Sequence, residues 1–583
     1  MDTESRLSHR SDRSTASSFS RTLALGLALF LAAAIASCRP NQGPGLAASQ
    51  SAQDGDAGSA GAPVLLDGLG SLTHPIDTDS PLAQRYFDQG LILTFGFNHE
   101  AAIRAFEEAA RIDPGCAMCH WGIAIALGPN INAPMGPAAA ARAFREVQRA
   151  QGLIAAAAPS SIREREKQYI DALATRYAEE NPEDRSALDR AFANAMRSVA
   201  ANAPDDLDAA TLFAESLMDL SPWSYWTPDG GVREFTDELI GTLERVLAAD
   251  PEHVGANHYY IHAVEEFYPK RAEPAADRLG TLAPDAGHLV HMPSHIYWRV
   301  GRYDDAASIN QRAAAADERY FAWCTPGAFY RAAYYPHNVH FLWAAASAEG
   351  RSSLALMTAR KLAAATRPSM KEVGLLQEFV AIPMLTLARF ARWDALLAEP
   401  RPDREDVYLT GVSQYTRGLA HARTNDLDSA RRQLSALRDT QARPDAAELM
   451  LAGGTANAAA LLEIAIAHLS GEIASAEGRD ADAIQALTNA STLHDALPYM
   501  EPPPWYAPPR QVLGSLLLDA GRARDAEAVY REDLRQYPKN GWSLLGLHQS
   551  LQAQGKGAEA DWAARGFESA WARADVELSR SRL

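Results

Sequence analysis

One recurring spacing constrains this chain more than any other feature. Residues 83–116 carry Tyr86, Gly90, Ala102, Phe106, Ala109 and Pro114. Read as two helices joined by a turn, Gly90 and Ala102 let the helices approach closely. Phe106 fills the gap between them, and Pro114 stops the second helix before the next pair begins. The frame returns as Gly418, Ala430 and Leu434, as Gly471, Ala483 and Leu487, and as Gly514, Ala526, Tyr530 and Pro538. Gly301-Arg302-Tyr303-Asp304-Asp305-Ala306 is a further junction between a first and a second helix. One such hairpin cannot bury its apolar face alone, so the pairs must stack. The expected fold is all-α: an α-solenoid of helix hairpins, with loop insertions. Alanine-rich runs and few β-branched stretches agree with helix.

The spacing resembles the tetratricopeptide repeat, whose unit is about 34 residues. Insertions interrupt it at residues 128–136, 223–231 and 320–335. At 583 residues the chain exceeds a single core, which stops growing at roughly 250–300 residues. Residues 398–406, rich in Pro, Arg and acids, are the expected divide. An N-terminal solenoid with a His-rich groove is therefore expected over 74–400, and a C-terminal solenoid over 401–583.

Composition excludes several classes. With 55 Lys and Arg against 73 Asp and Glu, net −18, there is no cationic excess to displace phosphate counterions, so a nucleic-acid partner is not expected. Hydrophobic residues at 47% exclude a disordered chain, and four Cys exclude a disulfide scaffold.

The N-terminus reads as an export signal, residues 1–37. Arg10, Arg13 and Arg21 precede an apolar run over residues 23–36, too short for a bilayer span of about 20 residues. It ends in Ile35-Ala36-Ser37-Cys38, which resembles the bacterial lipoprotein box, with Cys38 the lipidation site. Residues 38–73 then form a flexible tether from the lipid bilayer. Arg39 is not the Asp that resembles an inner-membrane retention signal, so the expected location is the outer membrane, facing the periplasm.

Histidine is concentrated. Residues 253–340 hold 8 of the 16 His, where even spacing would place about two. With Pro251 and Pro284 ending two second helices, the next repeats begin near Val254 and Gly287. His258 and His262, and His291 and His295, then occupy the fifth and ninth residues of successive first helices. A third repeat, framed on Gly350, places His337 and His340 at its second and fifth residues. Each pair lies on one helix face, and neighbouring helices pack about 8–10 Å apart, so the imidazoles can meet in the concave groove. Glu265 and Glu266 share that surface, as do Glu215 and Asp219 from the preceding helix.

The functional reading is a metal site of His258, His262, Glu265, His291, His295, His337 and His340, suited to zinc, copper or iron. Six His can hold two metals, an analogy of spacing with dinuclear copper proteins. Glu265 is the candidate base if the site is an enzyme's. No HExxH motif is present, because Tyr259 stands where the Glu is needed. The competing reading is a polar groove in which the His bond one another and Tyr259, Tyr260, Tyr297 and Tyr335. In that case the protein is a non-enzymatic scaffold for a peptide or partner protein.

Cys116-Ala117-Met118-Cys119-His120 matches the attachment motif of haem c. The repeat register argues against covalent haem: His120 falls where a large ring packs between two helices. A thiol pair, a redox-active pair, half of a metal site with Cys324, or inert buried thiols remain.

Four segments, "FNHEAAIRAFEEAARIDPGCAMCHWGIAIALGPNINAPM", "ANHYYIHAVE", "GHLVHMPSHIYWRVGRY" and "YYPHNVHFLWAA", closely resemble a bacterial family of exported tetratricopeptide-repeat proteins. The resemblance covers most of residues 74–583. It implies the helical-repeat architecture and carries no settled activity. Members resemble the chain at Cys116 and Cys119, often with Tyr where His120 stands, which further weakens haem. Pro222-Trp223-Ser224-Tyr225-Trp226 and Pro502-Pro503-Pro504-Trp505-Tyr506 are aromatic–proline segments able to cap a groove or receive a peptide.

Overall fold

The computed structural model describes residues 62–323 and 328–583. The signal segment, Cys38 and Cys324 lie outside them. The first hairpin is Pro81–Phe95 with His99–Ile112. Ser80 accepts from Ala83 N, and Pro81 occupies the first turn, where its missing N–H leaves no bond unmade. Phe106 is wholly buried between this hairpin and the next helix, Ala117–Ala126. A Cβ at Gly90 would stand 2.6 Å from its ring, and one at Gly122 2.4 Å. Neither position tolerates a side chain while Phe106 keeps its place.

The register between the prolines holds. Second helices end at Ala249 and Leu282, and the next helices begin at Val254 and Gly287. The latter is broken at Met292 into Gly287–His291 and Pro293–Val300, because Pro293 has no N–H to continue the ladder. Gly301, at φ 75°, ends Pro293–Val300 in the left-handed conformation, and Tyr303–Trp323 follows. Among the described residues the one sheet is a two-stranded antiparallel ribbon pairing Met450 with Asn457 and Leu451 with Ala456. Ala458–Ala476 is long and apolar enough to cross a membrane, but 67% of its apolar window is buried against neighbouring helices.

The stack winds tightly enough for distant repeats to meet. In the first coil, the end of helix Pro81–Phe95 packs on Val254–Val264, and Asp285 N donates to Gly68 O at 2.9 Å. In the second, Trp542 Nε1 donates to Ser347 O at 3.2 Å, and Asp575 accepts from the backbone of Ser352 and Ser353. Closure corrects two sequence expectations. Residues 62–73 are not tether: Leu69 is buried in the core, and Leu66 N donates to Gln89. The divide is not at residue 400, because one apolar core runs from Trp298 to Trp542, while another spans Leu69 to Ala345. The two meet around the helices Tyr303–Trp323 and Tyr334–Ala348, where the coils join.

A buried carboxyl pins that join. Asp317 accepts from Tyr330 Oη and Asn338 Nδ2, both at 2.7 Å. Burial pushes its pKa from 3.8 up to about 7, with Tyr330 and Asn338 pulling the other way. A raised carboxyl pKa means the fold prefers the protonated form. Its contribution is therefore full below 3.8 and is lost as pH rises through about 7. Asp317→Asn should remove this component. Melting temperatures from pH 4 to 8 should show a shallower decline in the variant; parallel curves would refute the assignment.

Candidate metal centre

Three helical segments carry the imidazoles inward: Val254–Val264 (His258, His262), the broken pair Gly287–His291 and Pro293–Val300 (His288, His291, His295), and Tyr334–Ala348 (His337). The rings form two adjoining triads. His258, His262 and His288 each offer a ligand nitrogen within 4.8 Å of the others, and so do His291, His295 and His337. The triads touch through His262 and His295, whose ring centres are 5.8 Å apart, and through His288 and His291 at 5.9 Å.

Two expectations are corrected. The rings do not line an open groove: His258 and His291 are fully buried and His262, His288 and His295 nearly so. Closure of the first coil is the cause, since Phe97 from the first repeat lies stacked on His262 and edge-on to His258. Nor does His340 join either triad. It stacks on Trp343 at 5.3 Å and meets Phe379 edge-on, and burial pushes its pKa down to about 3. His288 takes the place expected of His340. A sequence signal existed: it is the second residue of its helix, as expected of His337 within its repeat.

The second layer is ordered. His258 Nδ1 meets Phe95 O at 2.5 Å, and His291 Nδ1 meets Asn310 Oδ1 at 2.7 Å. His295 Nδ1 stands 3.2 Å from Oε2 of both Glu265 and Glu501. Glu265, expected in the ligand set, stands instead behind His295 and belongs to neither triad. Glu501 arrives from residues 499–506, a stretch without helical frame, so no local pattern could have revealed it. The Nε2 atoms of three rings face one another: His291 and His295 at 3.0 Å, His295 and His337 at 3.5 Å.

Burial holds His258, His262, His288, His291 and His337 well below the ordinary imidazole pKa, so they are neutral at pH 7. His295 is the exception: burial opposes its charge, but Glu265 and Glu501 outweigh burial and raise it. Burial lifts Glu265 to about 7 against the pull of His295 and Arg299. Nε2 of His258 and both nitrogens of His262 and His288 are buried without a hydrogen-bond partner. Each orphan costs about 1–3 kcal/mol unless something accepts from it or binds to it. The donor set therefore fits a transition ion: nitrogen-rich and converging, neutral at every ring but His295, and without partners in the first triad.

The other singled-out residues sit elsewhere. Glu215 and Asp219 form a separate buried cluster with Arg176, whose Nη2 lies 2.6 Å from Asp219. His74, Asp206 and Asp208 approach one another as a metal group would, but they are already knotted by bonds. His74 and His253 both reach Asp208, while Asp206 accepts from Tyr169 and caps Leu207–Asp219. Cys116 and Cys119 are buried and joined in a disulfide, and His120 pairs with Glu146 at 2.7 Å. Trp223, 40% exposed, stands edge-on to His262 at 5.0 Å and forms part of the outer wall.

A tetratricopeptide-repeat model matches residues 83–116, the hairpin built around Phe106. The chain is an all-α solenoid of tetratricopeptide type. No curated protein matches it. Solved structures similar to it include human IFIT1, at 11% identity over 85% of this chain and 91% of that one, TM-score 0.26. Yeast Tom70 aligns at 12% identity over 83% and 89%, TM-score 0.26. Cut9 with Hcn1 aligns at 11% over 83% and 93%, also at 0.26. Overlaps this low say nothing of ligand or activity.

Proposed function

We propose that this is an exported, lipid-anchored periplasmic protein whose helical repeats enclose a pair of transition-metal sites, each held by three histidines. The observation that carries the proposal is the pair of touching triads: nitrogens of the first are buried without partners, and the Nε2 atoms of the second converge on one another. His258, His262 and His288 would hold one ion, and His291, His295 and His337 the other. Three imidazoles leave a tetrahedral ion one open position, which suits zinc, copper or iron in a reactive rather than a purely structural role. Glu265 and Glu501 orient His295, and Glu265 Oε2 is placed to hold a proton beside it. Export is supported by the disulfide, which persists in oxidising compartments. Anchoring rests on the reading of Cys38.

Repeat arrays of this type are scaffolds for protein contacts. Here the interior beside the histidines is taken by the chain's own residues 499–506, including buried Glu501 and Trp505, so a protein partner would use an outer face. Elemental analysis of the purified protein, after loading with zinc, copper or iron and desalting, tests the metal reading. Roughly two equivalents are expected, one per triad. Less than about a tenth of an equivalent of every metal would leave only the scaffold.

A further inference from the structure

Next to the histidine chamber lies an aromatic cleft that opens to solvent at its mouth. Trp298, Trp343, Trp505, Tyr506 and Trp542 line it, together with one cation, Arg389. That guanidinium lies 3.6 Å over the Trp542 ring and donates to Gln511 Oε1 at 2.6 Å. It forms no ion pair with a carboxylate among the described residues. Burial lowers its pKa to about 10, although Tyr506, Asp533 and Tyr415 oppose the shift. Half-buried and without a carboxylate partner, this cation makes the cleft a place where an anion is favoured.

A second donor is unsatisfied there. Trp343 Nε1 donates to Thr386 Oγ1 and Trp542 Nε1 to Ser347 O, but Trp505, 2% exposed, has no acceptor for its Nε1. The apolar walls disfavour a bare inorganic anion, and Arg389 repels the quaternary ammonium groups that aromatic boxes otherwise attract. Prolines of the chain's own 502–508 segment narrow the space against an extended peptide.

We propose that this cleft binds a small planar organic acid, its carboxylate on Arg389 and its ring among the tryptophans. The carboxylate matches the guanidinium fork, and the ring matches the indole-rich walls. Pro502, in the cleft wall, directly follows Glu501, which backs His295. A ligand there would sit one residue from the chamber wall. The proposal stands independently of whether the chamber holds metal.

Isothermal titration of the purified full chain with benzoate, 4-hydroxyphenylacetate and indole-3-acetate tests it, with benzyl alcohol and acetate as partial ligands. At least one aromatic acid should saturate below about 1 mM, and the alcohol and acetate should bind at least about tenfold more weakly. Arg389→Gln should weaken the acid at least about tenfold while leaving the alcohol unchanged. Trp505→Phe, which keeps the ring and removes the N–H, should weaken it about threefold and serves if the Arg389 variant does not fold. No saturable binding of any acid up to about 10 mM, or binding indifferent to both substitutions, overturns the proposal.

Discussion

Replacing His262 and His295 together with alanine should abolish metal retention, because each triad then keeps two ligands and loses the ring at their junction. His262→Ala alone should reduce the loaded protein from about two equivalents to one, and His295→Ala should do the same for the other triad. Glu501→Gln leaves every ligand in place but removes a carboxylate behind His295, so affinity should fall about 10–100-fold with stoichiometry unchanged. His340→Ala is the internal control. Its ring packs on Trp343 and Phe379, and metal content should not change. The same binding should register as stability, since an ion that binds only the folded chain adds about 4 kcal/mol at a thousandfold excess over its dissociation constant. Chelation should therefore lower the melting temperature of the wild type and leave that of the double variant unmoved. A double variant that retains its metal would overturn the assignment of these rings.

Phe106→Ala should cost about 3–5 kcal/mol, the largest effect expected of a residue remote from the chamber. The ring is fully buried between Gly90 and Gly122, and neither flanking position has a side chain that could relax into the void. Phe106→Leu should cost less because it keeps most of the volume. Trp562→Ala, on an exposed ring, should stay within about 0.5 kcal/mol. Urea denaturation followed by circular dichroism reads all three. The lesion should also reach the chamber. Phe95 supplies the carbonyl that engages His258, and Phe97 stacks on His262, both at the end of the helix that Phe106 packs against. A loosened first hairpin should thus weaken metal binding without touching a ligand. Unchanged metal affinity in a destabilised Phe106 variant would mean that the chamber is held by its own helices alone.

The hairpins, their register and the inward aim of five histidines were legible along the chain. They depend on local periodicity: Gly90 and Phe106 can only be neighbours across a hairpin, and residues four apart on a helix share a face. The spacing from Val254 to Gly287 carries His258, His262, His291 and His295 to one side without any long-range information. His340 failed by the same logic. Three residues from His337 it shares a broad face, but which neighbour that edge meets depends on Phe379, a helix further on. What only the tertiary structure decided is the winding of the coils. Small rotations between successive repeats accumulate over many residues, and no single motif encodes their sum. That sum brings Phe97 over the histidines, delivers Glu501 to His295, and turns an expected open groove into a closed interior.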